Sequence, residues 1–342
     1  MVEIDGTEIG NGKQPYIVAE MGASHAGDLS RAISIIKQAA ISGANAIKFQ
    51  AYEADDITIQ SNRPDFIIKG GIWNGRNLYE LYQVAQTPIK WYESLFAHAK
   101  LYEITIFASV FSPRMVKILE NLGCPAYKIA SAEITDVELI ECAAKTGKPV
   151  IISTGMAGII DINRAIGAVN SQNYALLHCV SDYPTDAKDA WLTRMHTLKL
   201  YAGNGGVVGI SDHSEGIDIP IAATALGAHI IEKHIKLDDL QSSEDDAFAL
   251  YGDEFSNMCY SVRNIYYATN NRAIMKKVGD NQFRRSLYVV KDVQKGEKFT
   301  QDNVRAIRPS YGMPPYLMGT VMTKVAARDI QAGEALKEEM LG

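Results

Sequence analysis

Eight short apolar runs recur between Ile17 and Lys233, and most are followed by a stretch of helical spacing or composition. The runs lie at residues 17–21, 45–50, 104–109, 126–129, 149–153, 174–179, 207–210 and 228–233. Helical pattern or composition falls at 30–42, 88–101, 112–122, 136–146, 160–171 and 217–226. Strands alternating with helices predict a parallel sheet covered by helices, an α/β class. A doubly wound open sheet is the alternative. Eight is the number of β/α units that closes, so the chain is expected to form a (β/α)8 TIM barrel.

The chain has 342 residues, which suits a barrel of roughly 250 residues plus a smaller module. The pattern changes after Tyr267. Residues 269–282 are polar and basic and read as a linker. Beyond them, "KDVQKGEKFTQDNV" and "RDIQAGEALKEEML" resemble one another; each predicts a short strand, a glycine turn and a polar stretch. The expected domains are a barrel at 1–268, a linker at 269–282 and a small mostly-β domain at 283–342.

The formal net charge of -6 argues against a nucleic-acid partner, which needs a basic face. It leaves room for a local anion site. The four cysteines are far apart and form no CxxC pair, so neither a disulfide framework nor a structural zinc is expected. Glu3 and Asp5 with no long apolar run predict no signal peptide, and no run approaches the ~20 apolar residues of a membrane span. A cytoplasmic location without membrane contact is the resulting expectation.

Polar groups gather at the carboxyl ends of the proposed strands, where barrel enzymes place their chemistry. In chain order these are Glu20, Lys48 with Gln50, Ser109, Lys128 with Ser131, Ser153, Ser181 with Tyr183, Ser211 with His213, and His234. Lys48 and Lys128 interrupt apolar context. Each either pairs with a carboxylate inside the barrel or aims at an anion. Ser131, Ser153 and the Gly155 amide region could complete a phosphate cradle.

His213 and His234 follow neighbouring strands. Side by side, two imidazoles make better sense as neutral ligands of one divalent metal than as two cations. The alternative is one structural histidine and one general base. Glu20 could bind the metal, orient a hydroxyl or pair with Lys48. His25 could help the site or serve only its loop, and the other histidines read as structural. The long segment between Gln50 and Pro88, with Trp73, Tyr79 and Tyr82, belongs on the catalytic face as a substrate lid or as a packed loop. A metal beside a phosphate cradle suggests condensation of a phosphorylated three-carbon unit with a carbonyl. An aldolase or a sugar-phosphate isomerase fits the same pattern.

"AEMGASHAGDLSRA", "GANAIKFQAY", "PAYKIASAEITD", "PVIISTGMA", "LLHCVSDYPT", "GISDHSEG" and "GAHIIEKHIKLD" resemble the sialic acid (nonulosonate) synthase family. The tail "RSLYVVKDVQKGEKFTQDNVRAIRPSYGM" resembles that family's C-terminal antifreeze-like (SAF) domain of β-clip type. Within the family, "DFIIKGGIWNGRNLYELY" and "SSEDDAFALYGDEF" are most similar to the pseudaminic acid synthases.

The resemblance implies a metal-dependent transferase that condenses phosphoenolpyruvate with 2,4-diacetamido-2,4,6-trideoxy-L-altrose, with C–O cleavage, giving pseudaminic acid and phosphate. It implies phosphoenolpyruvate contacts at Lys48, Gln50, Ser109, Lys128, Ser131, Ser153, Ser211 and Tyr183. It further implies Mn2+ or Mg2+ on His213 and His234, and Glu20 as the catalytic carboxylate. Sugar contacts are implied at Tyr52, Ser181, Asp245 and Arg308, the last reaching the partner's pocket in a domain-swapped homodimer. N-acetylneuraminate or legionaminate synthesis, or a barrel that binds sugar without turnover, are the alternatives. Ser24, Val110 and Ser181 depart from the usual family residues, so each puts the sugar preference or rate in question.

Overall fold

The computed structural model describes residues 1–238, 242–270 and 281–342. It divides into two compact units, Met1–Asn270 and Asn271–Gly342.

The first unit opens with an antiparallel hairpin, β1 (Val2–Ile4) and β2 (Thr7–Ile9). Val2, Ile4 and Ile9 are buried there. The Thr105 hydroxyl, at the start of a barrel strand, donates to Asp5 at 2.9 Å, which places the hairpin at the amino ends of the strands.

Eight parallel strands then close on themselves: β3 (Tyr16–Glu20), β4 (Ala46–Ala51), β5 (Thr105–Val110), β6 (Tyr127–Ile129), β7 (Val150–Ser153), β8 (Tyr174–His178), β9 (Val207–Asp212) and β10 (Ile230–His234). β10 pairs with both β9 and β3, which completes the closed barrel. All eight expected strands form, each within a few residues of its expected limits.

The covering helices are α1 (Leu29–Ile41), α4 (Tyr92–Leu101), α5 (Pro113–Asn121), α6 (Val137–Ala144), α7 (Ile159–Val169), α8 (Arg194–Ala202), α9 (Asp218–Ala225) and α10 (Gly252–Asn270). Short side chains start several of them. Asp28, Ser112 and Asp136 each accept a hydrogen bond from a first-turn N–H of α1, α5 and α6. α8 is a helix that the sequence pattern does not announce. It buries Met195, Leu198 and Ala202 on one face, after a long loop that contains Pro184. Between β4 and α4 the long segment folds around α2 (Ala54–Ile57) and α3 (Leu78–Ala85). α10 continues through Asn270, and most of the expected linker, at 271–280, lies outside the described residues.

Register determines what faces inward. Parallel pairing aligns Glu20 with Lys48, Gln50 with Ser109, Ser109 with Lys128, Ser211 with Glu232, and His234 with Glu20. Because side chains alternate along a strand, these residues share the barrel interior. Their sequence neighbours face the helices. Asp212 and Lys233 form a buried pair at 2.7 Å on that outer face, one residue away from Ser211 and Glu232.

The second unit has its own core, including Leu287, Val289, Phe299, Val304 and Leu336. β11 (Ser286–Val289) pairs antiparallel with β12 (Val304–Ile307), and a short helix α11 spans Met318–Val321. The two similar stretches of sequence meet here as halves of a pseudo-twofold. Val293 and Ile330 exchange both backbone hydrogen bonds at 2.9 Å. Lys295 N–H donates to Asp329, and Ala332 N–H donates to Asp292. Gly296 and Gly333 occupy equivalent turns at φ +82° and +95°, where a side chain would strain the backbone.

Candidate active site

One cavity of about 550 Å³ opens at the carboxyl end of the barrel. It gathers the barrel residues expected to contact substrates or metal: Glu20, Lys48, Gln50, Tyr52, Ser109, Lys128, Ser131, Ser153, Ser181, Tyr183, Ser211, His213, His234 and Asp245. These come from all eight strands or the loops that follow them. Arg308 is an exposed residue of the second unit and makes no hydrogen bond or ion pair with any described residue.

The charged floor rests on β3, β4, β6 and β10. Lys48 Nζ lies 2.7 Å from Glu20 Oε2 and 3.4 Å from Glu232 Oε1, and it donates to Ser109 Oγ at 2.8 Å. Lys128 Nζ lies 3.3 Å from the same Glu232 oxygen, which also accepts from Ser211 Oγ at 2.8 Å. Both lysines therefore have carboxylate partners inside the barrel.

The two lysines differ in electrostatics. Burial works against the charge on each. At Lys48 the two carboxylates outweigh burial, and its pKa is raised. At Lys128 burial and the repulsion of Lys48 outweigh the attraction of Glu232 and the weaker pull of Glu20, and its pKa is lowered. Burial also opposes the charge on Glu232, but Lys128 and Lys48 hold its carboxyl well below the usual range.

Glu20 is held at both oxygens. Oε1 accepts from the Gly22 N–H and from Gln50 Nε2, each at 3.0 Å, while Oε2 faces Lys48. Gly22 sits at φ +48°, and a Cβ there would lie 2.0 Å from Asp245 Oδ2 and 3.0 Å from the His234 ring. Glycine is what lets the loop after β3 approach this closely.

His213 and His234 face each other with ring centroids 5.6 Å apart. His213 Nδ1 is 3.0 Å from the Val180 carbonyl, so it carries the proton and donates. His234 Nδ1 lies 3.4 Å from Asp245 Oδ2, at the edge of hydrogen-bond reach. Asp245 is itself fixed by the Ala23 N–H at 2.8 Å. The Val180 bond leaves Nε2 of His213 bare, the tautomer a metal ligand needs, while Nδ1 of His234 approaches Asp245 without a hydrogen bond. Burial, reinforced by His234, pushes His213 down to about 3, so it stays neutral near pH 7. Among the described residues, no three His, Cys, Asp or Glu side chains converge as a ready metal-binding group. Two buried imidazoles from neighbouring strands, facing one cavity, are the donors that would hold a divalent ion.

Aromatic rings brace the histidines. Tyr183 packs tilted against His213 with ring centroids 4.4 Å apart, and Phe248 lies 4.8 Å from His234. Trp73, from the long segment, packs 5.6 Å from Tyr183, and Tyr82 packs 5.8 Å from Tyr52. These two rings line the cavity and pack at the same time, whereas Tyr79 does not line it. His25 also stays out of the cavity. It is buried against Trp91 and accepts from the Gly27 N–H at 3.0 Å. Of the departing residues, Ser24 and Val110 are buried outside the cavity, while Ser181 lines it with its hydroxyl unpartnered.

Sequence reasoning assigned no role to Glu232, Glu133 or Phe248. Glu232 was legible: two residues before His234 on one strand, it must share His234's face. Glu133 follows β6 in a short turn, and burial pushes its carboxyl up to about 7.

Comparison with known proteins shows the family. The pseudaminic acid synthase of Campylobacter jejuni is 41% identical over 97% of this chain and 98% of its own. That of Helicobacter pylori is 40% identical over 95% and 97%. The solved N-acetylneuraminic acid (sialic acid) synthetase of Leptospira borgpetersenii superposes with a TM-score of 0.72 at 31% identity, over 82% of this chain and 93% of that one. The SAF domain profile matches residues 284–342, and the NeuB profile matches residues 35–273. With barrel, cavity and both profiles in agreement, the chain belongs to the NeuB family.

Proposed function

We propose that the protein is a pseudaminic acid synthase, joining phosphoenolpyruvate to 2,4-diacetamido-2,4,6-trideoxy-L-altrose and releasing phosphate. The observation that carries this reading is the single cavity in which Lys48 and Lys128 stand beside Glu20, His213 and His234. The full-length similarity to pseudaminic acid synthases, at 41% against 31% for the N-acetylneuraminic acid synthetase, supports the acceptor.

Lys48, Lys128, Ser131, Ser153 and Ser211 bind the donor's phosphate and carboxylate, with Gln50, Ser109 and Tyr183 around them. Entry of this anion satisfies hydroxyls that have no partner, such as Ser153 Oγ. Tyr52, Ser181 and Asp245 orient the sugar. His213 and His234 hold a divalent ion, Mn2+ or Mg2+. That ion polarises the aldehyde carbonyl as a Lewis acid when bound. Holding both substrates in one cavity fixes the donor C3 beside the aldehyde carbon. The C3–C bond forms as the aldehyde oxygen takes a proton from solvent water. Water then adds at C2, giving its proton to Glu20, and phosphate leaves with cleavage of the C–O bond. Arg308 completes the sugar pocket from the partner subunit of a homodimer. Among the described residues no helix is long and apolar enough to cross a membrane.

The test is phosphate release and product mass with phosphoenolpyruvate and a panel of acceptors, with and without Mn2+. Metal-independent turnover, or turnover only with N-acetylmannosamine, sinks the proposal. His234→Ala is expected to abolish metal binding, read by calorimetry, because one remaining protein ligand holds the ion poorly. Unchanged affinity in that variant would remove the paired-ligand assignment.

A further inference from the structure

The cavity is lined by two chemically different surfaces. The strand ends contribute charged groups and hydroxyls. The long segment between β4 and α4 contributes Ile57, Ile68, Leu78 and Leu81 beside Lys69, Trp73 and Tyr82, and the loop after β5 adds Phe111. Ile57, Ile68, Leu78, Leu81 and Phe111 carry no polar atom.

This wall is held in shape by the chain itself. The Ile68 N–H donates to the Arg76 carbonyl at 2.9 Å, and the Gly75 N–H donates to the Ile68 carbonyl at 2.8 Å, closing a small hairpin. Asn77 caps α3 by accepting from the Tyr79 N–H, and its amide donates to the Ser61 carbonyl. Arg76 pairs with Glu244 at 2.5 Å, which ties the hairpin to the loop that carries Asp245. The apolar surface is therefore set before any ligand arrives, and its position is linked to the residue that orients His234.

A sugar whose aldehyde lies at the charged floor must turn its other carbons toward the rest of the lining. A hydroxyl set against Ile57, Ile68 and Leu78 loses its water and gains no hydrogen bond from those three side chains. A methyl group at the same place gains contact and leaves water. We infer that this apolar wall is the specificity determinant of the acceptor site: it receives the acceptor's methyl groups, at its deoxygenated terminal carbon and acetamido group, and selects N-acetylated deoxy sugars over their hydroxylated counterparts. The inference rests on the acceptor-sugar reading above and names the residues that enforce it.

The test compares kcat/KM for 2,4-diacetamido-2,4,6-trideoxy-L-altrose and its 6-hydroxy analogue in wild type, Ile68→Asn and Ile68→Val. Wild type is expected to favour the deoxy acceptor by on the order of 10- to 100-fold. Ile68→Asn is expected to narrow that ratio by about tenfold or more while the KM for phosphoenolpyruvate stays within about twofold, and Ile68→Val is expected to keep the ratio. Equal losses with both acceptors, or a ratio that does not move, overturn the inference. Ile57→Asn, at another half-buried position, carries the same comparison if Ile68→Asn does not fold. If wild type turns over a different acceptor instead, the proposed substrate fails by itself. The wall is then judged on that acceptor against its 6-deoxy form: preference for the deoxy form supports the inference, and preference for the hydroxylated form overturns it.

Discussion

Glu133 and Glu232 line the same cavity yet are shifted in opposite directions. Burial disfavours the charge on both. Glu232 faces two lysines and stays ionised, whereas the attraction of Lys128 at Glu133 is too weak to offset burial. Burial raises Glu133 from 4.5 to about 7. Between those pH values the folded protein keeps a proton that the unfolded chain has lost. The resulting stability is complete below pH 4.5 and disappears as the pH rises to about 7, up to about 3 kcal/mol in all at about 1.4 kcal/mol per unit. Glu133→Gln should flatten that decline. Denaturant titrations at pH 5 and pH 7 measure it, and identical slopes in variant and parent would rule the assignment out. At this scale the sequence told much through strand ends. Lys48, Lys128, Ser211 and His234 stood out as polar groups at the carboxyl ends of the strands, and strand alternation adds Glu232 to them. Glu133 was hidden because it lies on a turn, where no periodicity tells which side chain points inward.

Among the elements, the loop after β3 shows how backbone shape serves the site. Gly22 lets the chain pass against Asp245 and His234. Gly22→Ala forces the Asp245 carboxylate away, and the positive φ adds strain. We expect a loss of roughly 1–2 kcal/mol in unfolding free energy and about tenfold or more weaker metal binding, since the carboxylate partner orients the ligand. Thermal unfolding and calorimetric metal titration read the two effects, and metal affinity equal to wild type would refute the second. Elements with strong periodicity, such as α1 and α5, were plain in the sequence. α8 was not, because its apolar residues do not keep to one face, with Leu200 exposed, and they follow a long polar loop. The hairpin of β1 and β2 was missed for a similar reason: three-residue strands carry too little alternation to stand out.

For the whole molecule, the second unit has a core of its own and carries Arg308 exposed and unpaired among the described residues. Its replacement by alanine should leave the thermal midpoint unchanged and raise the KM for the sugar more than that for phosphoenolpyruvate. If Arg308 serves the partner's pocket, a re-equilibrated equal mixture of inactive His234→Ala and Arg308→Ala proteins gains activity at a sugar concentration far below the raised KM, where Arg308→Ala alone turns over little. Half of the dimers are mixed and one of their two sites is intact, so activity there approaches about a quarter of wild type. A mixture no more active than its two parts argues for a site completed within one subunit.

The sequence by itself determined the eightfold alternation, and with it the barrel and the end at which polar groups collect, because strand period and chain order are local properties. It also displayed the repeat that becomes the pseudo-twofold of the second unit. Only the tertiary structure decided that Lys48 and Lys128 share Glu232, that Gly22 makes room for Asp245, and that one apolar wall stands over a charged floor. Those facts depend on barrel closure and register, which bring together side chains as far apart in the chain as Glu20 and His234.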